Sequence, residues 1–237
     1  MPPKPDLFEH IGDCVPNDHA RQVTARYYIA RVMKGRPPGV RVLDLGCGDG
    51  RSIDHFRRQD EQVKWHGLDI EESPEVALRN RTDASFHTFD GVKIPFDDGS
   101  FDVIYSHQVF EHVRHPEPLL AEICRVLVPG GVFIGSVSYL EPYHSFSLWN
   151  FTPYGWNTIL KESGLRPVEF RPGIDSVALI QRQYLGRPKK ARGWFDISPM
   201  NEEIDQWGKE TGRRAALINL RKIQYCGHLV FHAERPA

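Results

Sequence analysis

Residues 42–50 read VLDLGCGDG. An apolar run closes on an acid, and glycine then takes every second position, at Gly46, Gly48 and Gly50. Such a run fits a buried strand, and glycines directly after it permit a tight turn and close approach of a ligand to the backbone. GRSIDHFRRQ then starts a helix, and strand and helix alternate from there. VKWHGLDI is a second strand. SPEVALRNR is a helix capped by Ser73, with Pro74 at its first position. ASFHTFD and SFDVIYSH are the third and fourth strands. PEPLLAEICRVL is a helix with Leu119, Leu120, Ile123 and Leu127 on one face. After PGG, VFIGSVSYL is the fifth strand. This order predicts an α/β fold, a doubly wound parallel sheet that binds ligands at the carboxyl ends of its strands.

The 237 residues suit one domain. Residues 1–37 carry an N-terminal lid helix, expected over Asn17–Lys34 with Asn17 or Asp18 as cap. Residues 38–172 form the ligand-binding core, closing with the helix TPYGWNTILKESG and the strand LRPVEF. Residues 173–224 are a helical insertion, and 225–237 hold the last strand, GHLVFHAE. Thirty basic residues against 31 acidic ones disfavour wholesale coating of nucleic acid. No apolar run approaches the roughly 20 residues of a membrane span, and MPPKPDLFEH lacks a signal stretch. Cys14, Cys47, Cys124 and Cys226 lie far apart and read as reduced, cytoplasmic thiols.

Charge decides what the glycine loop holds. A P-loop needs Lys-Ser or Lys-Thr after its last glycine, and none follows. In a dinucleotide fingerprint counted from Gly46, the third glycine would fall at Arg51. Asp44 and Asp49 beside the loop repel a pyrophosphate and attract a cation. Asp69 ends the second strand, where an acid accepts hydrogen bonds from ribose hydroxyls. Asp90 ends the third, where a carboxylate can meet an exocyclic amine. An adenosyl sulfonium, S-adenosylmethionine, combines all three.

VLDLGCGDG, GLDI, FDGVKIPFDDGSFDVIYSHQVFEHVRHP and EICRVLVPGGVFIGSV closely resemble the class I S-adenosylmethionine-dependent methyltransferases of the small-molecule type. The likeness is strong over residues 38–140, weaker to 172, and departs at the insertion. It implies a Rossmann-like sheet of seven strands with the last antiparallel. It also implies that Asp44 sits near the ligand's amino group, that the Gly46–Gly50 loop, with Gly46, Cys47 and Gly48 as contacts and Cys47 by its backbone, holds the methionine part, Asp69 the ribose and Asp90 the adenine; Ile70 is a further cofactor contact, and Gly91 lets the backbone approach the adenine.

His107, just after the fourth strand, is placed under the sulfonium, as a cofactor contact or as a base for a hydroxyl acceptor. His144, in the loop after the fifth strand, is the other candidate base. Tyr139, Tyr143, Phe146, Trp149 and Phe151 offer aromatic walls. His107, His112 and His115 match no known ligand spacing, so no metal is expected, although a metal-assisted sugar methyltransferase is a rival reading. The expected activity is O-methylation of a small molecule or saccharide, with a homodimer open. The rivals are N-methylation, an RNA or protein acceptor, and a binding protein or sensor without transferase activity.

Overall fold

The computed structural model describes residues 6–237. Seven strands form one sheet: β1 (Arg41–Leu45), β2 (Lys64–Asp69), β3 (Ser85–Thr88), β4 (Phe101–His107), β5 (Leu127–Ser138), β6 (Arg166–Pro172) and β7 (His228–Glu234). Their order is β3-β2-β1-β4-β5-β7-β6, with β7 antiparallel to both neighbours and the other pairings parallel. The helices are α1 (Leu7–Ile11), α2 (Arg26–Met33), α3 (Ile53–Arg57), α4 (Pro116–Val126), α5 (Pro153–Glu162), α6 (Ser176–Tyr184), α7 (Pro199–Glu210) and α8 (Ala215–Tyr225). This is the Rossmann-like arrangement the alternation predicts.

Successive strand residues point to opposite faces, so each central strand feeds two cores. Leu43, Ile104 and Phe133 pack with Leu119, Ile123, Trp156 and Leu220, under α4, α5 and α8. Val42, Val103 and Ile134 pack with Tyr28, Ile29 and Phe56, under α2 and α3. Phe133 and Trp156 are fully buried. Truncating either to alanine costs about 3–5 kcal/mol.

Three expectations are corrected. SPEVALRNR is not an α-helix; only a 3-10 turn forms, over Val76–Leu78. The N-terminal helix is shorter than Asn17–Lys34, because its carbonyls bond elsewhere. Lys222 Nζ donates to Ala20 O (2.7 Å), and Asn219 Nδ2 donates to Pro16 O (2.9 Å) and His19 O (2.8 Å). Asn17 caps α8 instead of its own helix, accepting from Ala216 N at 3.0 Å. Leu127 opens β5 and does not extend the face of α4. The first five residues of the expected lid lie outside the described residues.

Residues 173–224 carry α6, α7 and α8 and are tied to the sheet by buried polar groups. Arg171, fully buried on β6, donates to both oxygens of Asp18 (2.7 and 2.8 Å) and to Glu169 Oε1 (2.6 Å). Gln22 Oε1 accepts from Ser198 Oγ (2.7 Å) and Asn201 Nδ2 (2.6 Å). The N-terminal segment thereby fastens α7 and α8 at the edge bearing β6. No helix of the described residues is long and apolar enough to cross a membrane.

Candidate active site at the carboxyl edge of the sheet

The glycine loop leaves β1 and folds back on β2: Gly46 N and Cys47 N both donate to Leu68 O, at 2.8 and 3.2 Å. Gly46 (φ +71°) and Gly48 (φ +51°) take the left-handed conformation that favours glycine. A Cβ at Gly46 would lie 2.3 Å from Val109 Cγ2, and one at Gly48 2.9 Å from Glu75 Cβ. The closeness needed here is therefore to the chain's own next segments. Arg79 secures that packing, donating to Gly48 O from Nε (3.0 Å) and Nη2 (2.8 Å) while its guanidinium lies 4.0 Å above the Phe86 ring. Nothing in the motif marks Arg79; only the folded chain reveals it.

Asp69 is the acceptor at the loop's edge. Its Oδ2 accepts from Gly48 N (2.7 Å) and its Oδ1 from Ile70 N (2.8 Å). Each carboxylate oxygen has lone pairs left for further donors. Burial raises its pKa against the pull of these amides. Asp90 is exposed; its Oδ1 caps a turn by accepting from Val92 N (2.9 Å) and Lys93 N (2.7 Å), which holds its carboxyl below the usual range. Gly91, at φ +88°, has nothing within 4 Å of where a Cβ would stand.

Asp44 faces inward beneath the loop and is 3% exposed. Ser52 Oγ donates to it and accepts from Trp65 Nε1 at 3.0 Å. Burial lifts its pKa to about 7, with the Asp69 charge adding to the rise. Burial likewise pushes the Cys47 thiol up, so Cys47 offers backbone and no nucleophile.

The ends of β4 and β5 carry a polar network. His107 is exposed, yet protein crowds it enough that burial, with His228 and Arg26 behind it, lowers its pKa to about 4. Its Nδ1 lies 2.7 Å from Ser136 Oγ. Gln108, in the left-handed region at φ 56°, follows at once. Its amide nitrogen donates to Glu111 Oε1 (3.0 Å) and Glu141 Oε2 (3.1 Å), and its oxygen accepts from Ser136 Oγ (3.1 Å). Ser138 Oγ reaches Glu111 Oε1 at 3.1 Å, and His228 Nε2 lies 3.0 Å from Glu141 Oε2.

The two carboxyls of this network differ. Burial raises Glu111 to about 8. Burial is the largest single influence on Glu141 and pushes its pKa up, but His228, Ser138 and His144 together outweigh it and hold Glu141 below the usual range. At neutral pH one is an acid and the other a carboxylate, as sites that move protons require. His144 joins them, its Nδ1 3.6 Å from Glu141 Oε1 and its Nε2 3.9 Å from Glu111 Oε1. Gln108, Ser136, Glu141 and His228 were not found in the sequence: Gln108 and Ser136 lie within the resembling segments but nothing there marks them, and Glu141 and His228 lie beyond those segments. A separate cavity, lined by Arg57, Trp65 and Ser85, opens at the amino ends of β2 and β3.

Loop 141–151 stands beside the network. Leu148 N and Trp149 N both donate to Glu111 O, at 2.6 and 3.1 Å, and Trp149 Nε1 donates to Val113 O at 2.8 Å. Phe151 packs on Trp156 in the core, and Tyr139 lies partly buried against that core. Tyr143 (67% exposed) and Phe146 (79%) face outward, as do Leu148 and Trp149.

Known proteins share this core. A family profile described as "Methyltransferase domain" matches residues 43–135. The chain is 31% identical over 114 residues to the phthiotriol/phenolphthiotriol dimycocerosates methyltransferase of Mycobacterium tuberculosis, covering 47% of this chain and 42% of that one. It is 35% identical over 143 residues to the sterol 24-C-methyltransferase of Schizosaccharomyces pombe, covering 54% of this chain and 38% of that one. The chain thus spans less than half the length of either relative. The crystal structure of an S-adenosylmethionine-dependent methyltransferase from Mesorhizobium loti shares the fold, with a TM-score of 0.54, 17% identity and coverage of 89% and 98%.

Proposed function

We propose that the chain is a class I S-adenosylmethionine-dependent methyltransferase, as its match to a methyltransferase-domain profile over residues 43–135 supports, and that it methylates an oxygen of a small-molecule or saccharide acceptor held over His107. The residues fit the cofactor. Asp69, already ordered by two backbone amides, has lone pairs for ribose hydroxyls. Asp44 places a latent negative charge beneath the loop, and a cation above it favours ionisation. The open space beside Gly91 and the exposed Asp90 suit a base edge.

When bound, S-adenosylmethionine supplies an electrophilic methyl group, whose transfer forms the oxygen–carbon bond, breaks the sulfur–carbon bond and leaves a neutral thioether. The chain's task is alignment and proton handling. A hydroxyl must lose its proton as it attacks. His107, neutral at physiological pH and held through Nδ1 by Ser136, can accept it at Nε2. His144, beside two carboxyl groups, is the second imidazole placed for that role.

The observation that carries this reading is an exposed imidazole at the carboxyl end of β4, held through Nδ1 by Ser136, in a sheet of order β3-β2-β1-β4-β5-β7-β6. Its test is S-adenosylhomocysteine formation over a panel of hydroxylated small molecules and saccharides. His107→Ala or His144→Ala is expected to lower kcat by about a hundredfold or more, while S-adenosylhomocysteine still binds. Normal turnover by both variants would remove the assignment. Binding without any methylated product would favour the sensor reading.

A second reading is an apolar acceptor of sterol or lipid type. The outward-facing Tyr143, Phe146, Leu148 and Trp149 support it, as do the relatives' names. A methylated sterol as product would select this reading over the first.

A further inference from the structure

We infer that Glu111, His112 and His144 form a binding site for a divalent transition-metal ion beside the methyl-transfer cleft. The inference rests on the methyltransferase reading and states how that site would hold its acceptor. Each of the three residues offers one ligand atom, and these atoms all lie within 4.8 Å of one another. The rings of His112 and His144 meet edge to face, with centroids 5.3 Å apart.

Two independent features point to a missing partner. Glu111 is fully buried, and its Oε2 has no hydrogen-bond partner among the described residues; neither has the buried Nδ1 of His112. Leaving a carboxyl oxygen and a ring nitrogen unpaired away from water is costly, and the three residues stand close enough for one cation to take a ligand atom from each. The tautomer of His144 is also set. Its Nδ1 donates to Pro142 O at 3.2 Å, which leaves the Nε2 lone pair free on the side of Glu111. An outer hydrogen bond of this kind is what metal-binding histidines use to fix ring and tautomer.

The scaffold is built before any ion arrives. Glu111 and His112 are adjacent in the 3-10 turn Phe110–His112, and the loop bearing His144 is strapped to the Glu111 carbonyl by Leu148 N and Trp149 N. Ser138 and Gln108 hold Glu111 Oε1, and Oε2 stays available. One carboxylate oxygen with two imidazole nitrogens suits zinc, manganese, cobalt or iron(II), in contrast to the all-oxygen sets of calcium and magnesium. Of the three histidines noted in the sequence, His112 belongs to the site, while His115 is exposed ahead of α4. His144 comes from 32 residues beyond His112, which is why spacing gives no hint of it.

Three protein ligands leave coordination positions open, and an acceptor oxygen can take one. The ion would acidify that hydroxyl. The oxygen gives its proton to His107, its electron pair forms the new carbon–oxygen bond, and the sulfur–carbon pair stays with sulfur. His144 then serves as a ligand, and His107 is the remaining proton acceptor. Gln108 links the two groups, bonding to Glu111 on one side and to Ser136, the partner of His107, on the other.

The test uses the full chain, free of any histidine tag, stripped with chelator and titrated with Co2+ alone. Calorimetry and visible cobalt absorption report binding, Zn2+ competes, and S-adenosylhomocysteine is titrated in parallel. The expected result is one Co2+ per chain, displaced by Zn2+, with affinity lowered about a hundredfold or more in His144→Ala and Glu111→Gln. His144→Ala is the deciding variant because its loop is outside the core, and circular dichroism checks that it folds. His112→Ala is the second variant. Uptake of no ion by the wild-type chain overturns the inference, and so does equal affinity in the folded variants. If S-adenosylhomocysteine binds in that case, the methyltransferase reading stands without the metal. Failure of S-adenosylhomocysteine to bind strikes that reading, while the cobalt titration still decides the site.

Discussion

Asp44 is a carboxyl that folding takes out of water while leaving it one hydroxyl partner. Its pKa in the folded chain is about 7, against an ordinary value near 3.9 in the unfolded chain. The folded state therefore holds this proton more tightly. The associated stability is complete below about pH 4 and is lost as pH rises through 7, where the buried charge costs up to about 3–4 kcal/mol. Asp44→Asn removes the titration and keeps an acceptor for Ser52. Urea midpoints of the two proteins should converge near pH 4 and separate by pH 8, with the variant more stable. Parallel curves would show that Asp44 does not titrate in this range. The sequence revealed the acid and its place before the loop. It did not reveal that Ser52 and Trp65 hold it inward, because those contacts lie 8 and 21 residues away.

At the scale of elements, the segment after β2 shows how tertiary anchors override a local pattern. Nine residues with a serine cap and a proline suggest a helix, but so short a helix is marginal on its own. Arg79 is drawn to the carbonyl of Gly48, and Arg81 Nη1 to that of Gly50 at 3.1 Å. Both arginines also engage side chains: Arg79 stacks on Phe86, and Arg81 pairs with Asp54. These anchors hold the chain across the glycine loop, leaving only the 3-10 turn. Arg79→Ala is expected to free the segment and weaken S-adenosylhomocysteine binding about tenfold, with little change in Tm. Unchanged affinity would mean that the segment takes no part in forming the cradle.

For the molecule as a whole, what was legible in the sequence is what neighbouring residues encode. The strand–helix alternation, the glycine turn and the acids at the ends of β2 and β3 all involve short separations. The rest depends on pairings between distant segments. Asn17 caps α8 from 199 residues away, and Arg171 binds Asp18 from 153. The network of His107, Ser136, Gln108, Glu111, Glu141 and His228 exists only once β4, β5 and β7 are side by side. One of its members, His107, was noted from the sequence, and the others follow from the sheet order.

The central claim is that the carboxyl edge of β1 to β3 holds an adenosyl sulfur nucleoside, with Asp69 as its ribose acceptor. Calorimetric titration of the full chain with S-adenosylhomocysteine tests it most directly. The predicted result is one molecule bound per chain, with affinity reduced about tenfold to a hundredfold in Asp69→Ala. No binding to the folded wild-type chain, or equal binding by the variant, would contradict it.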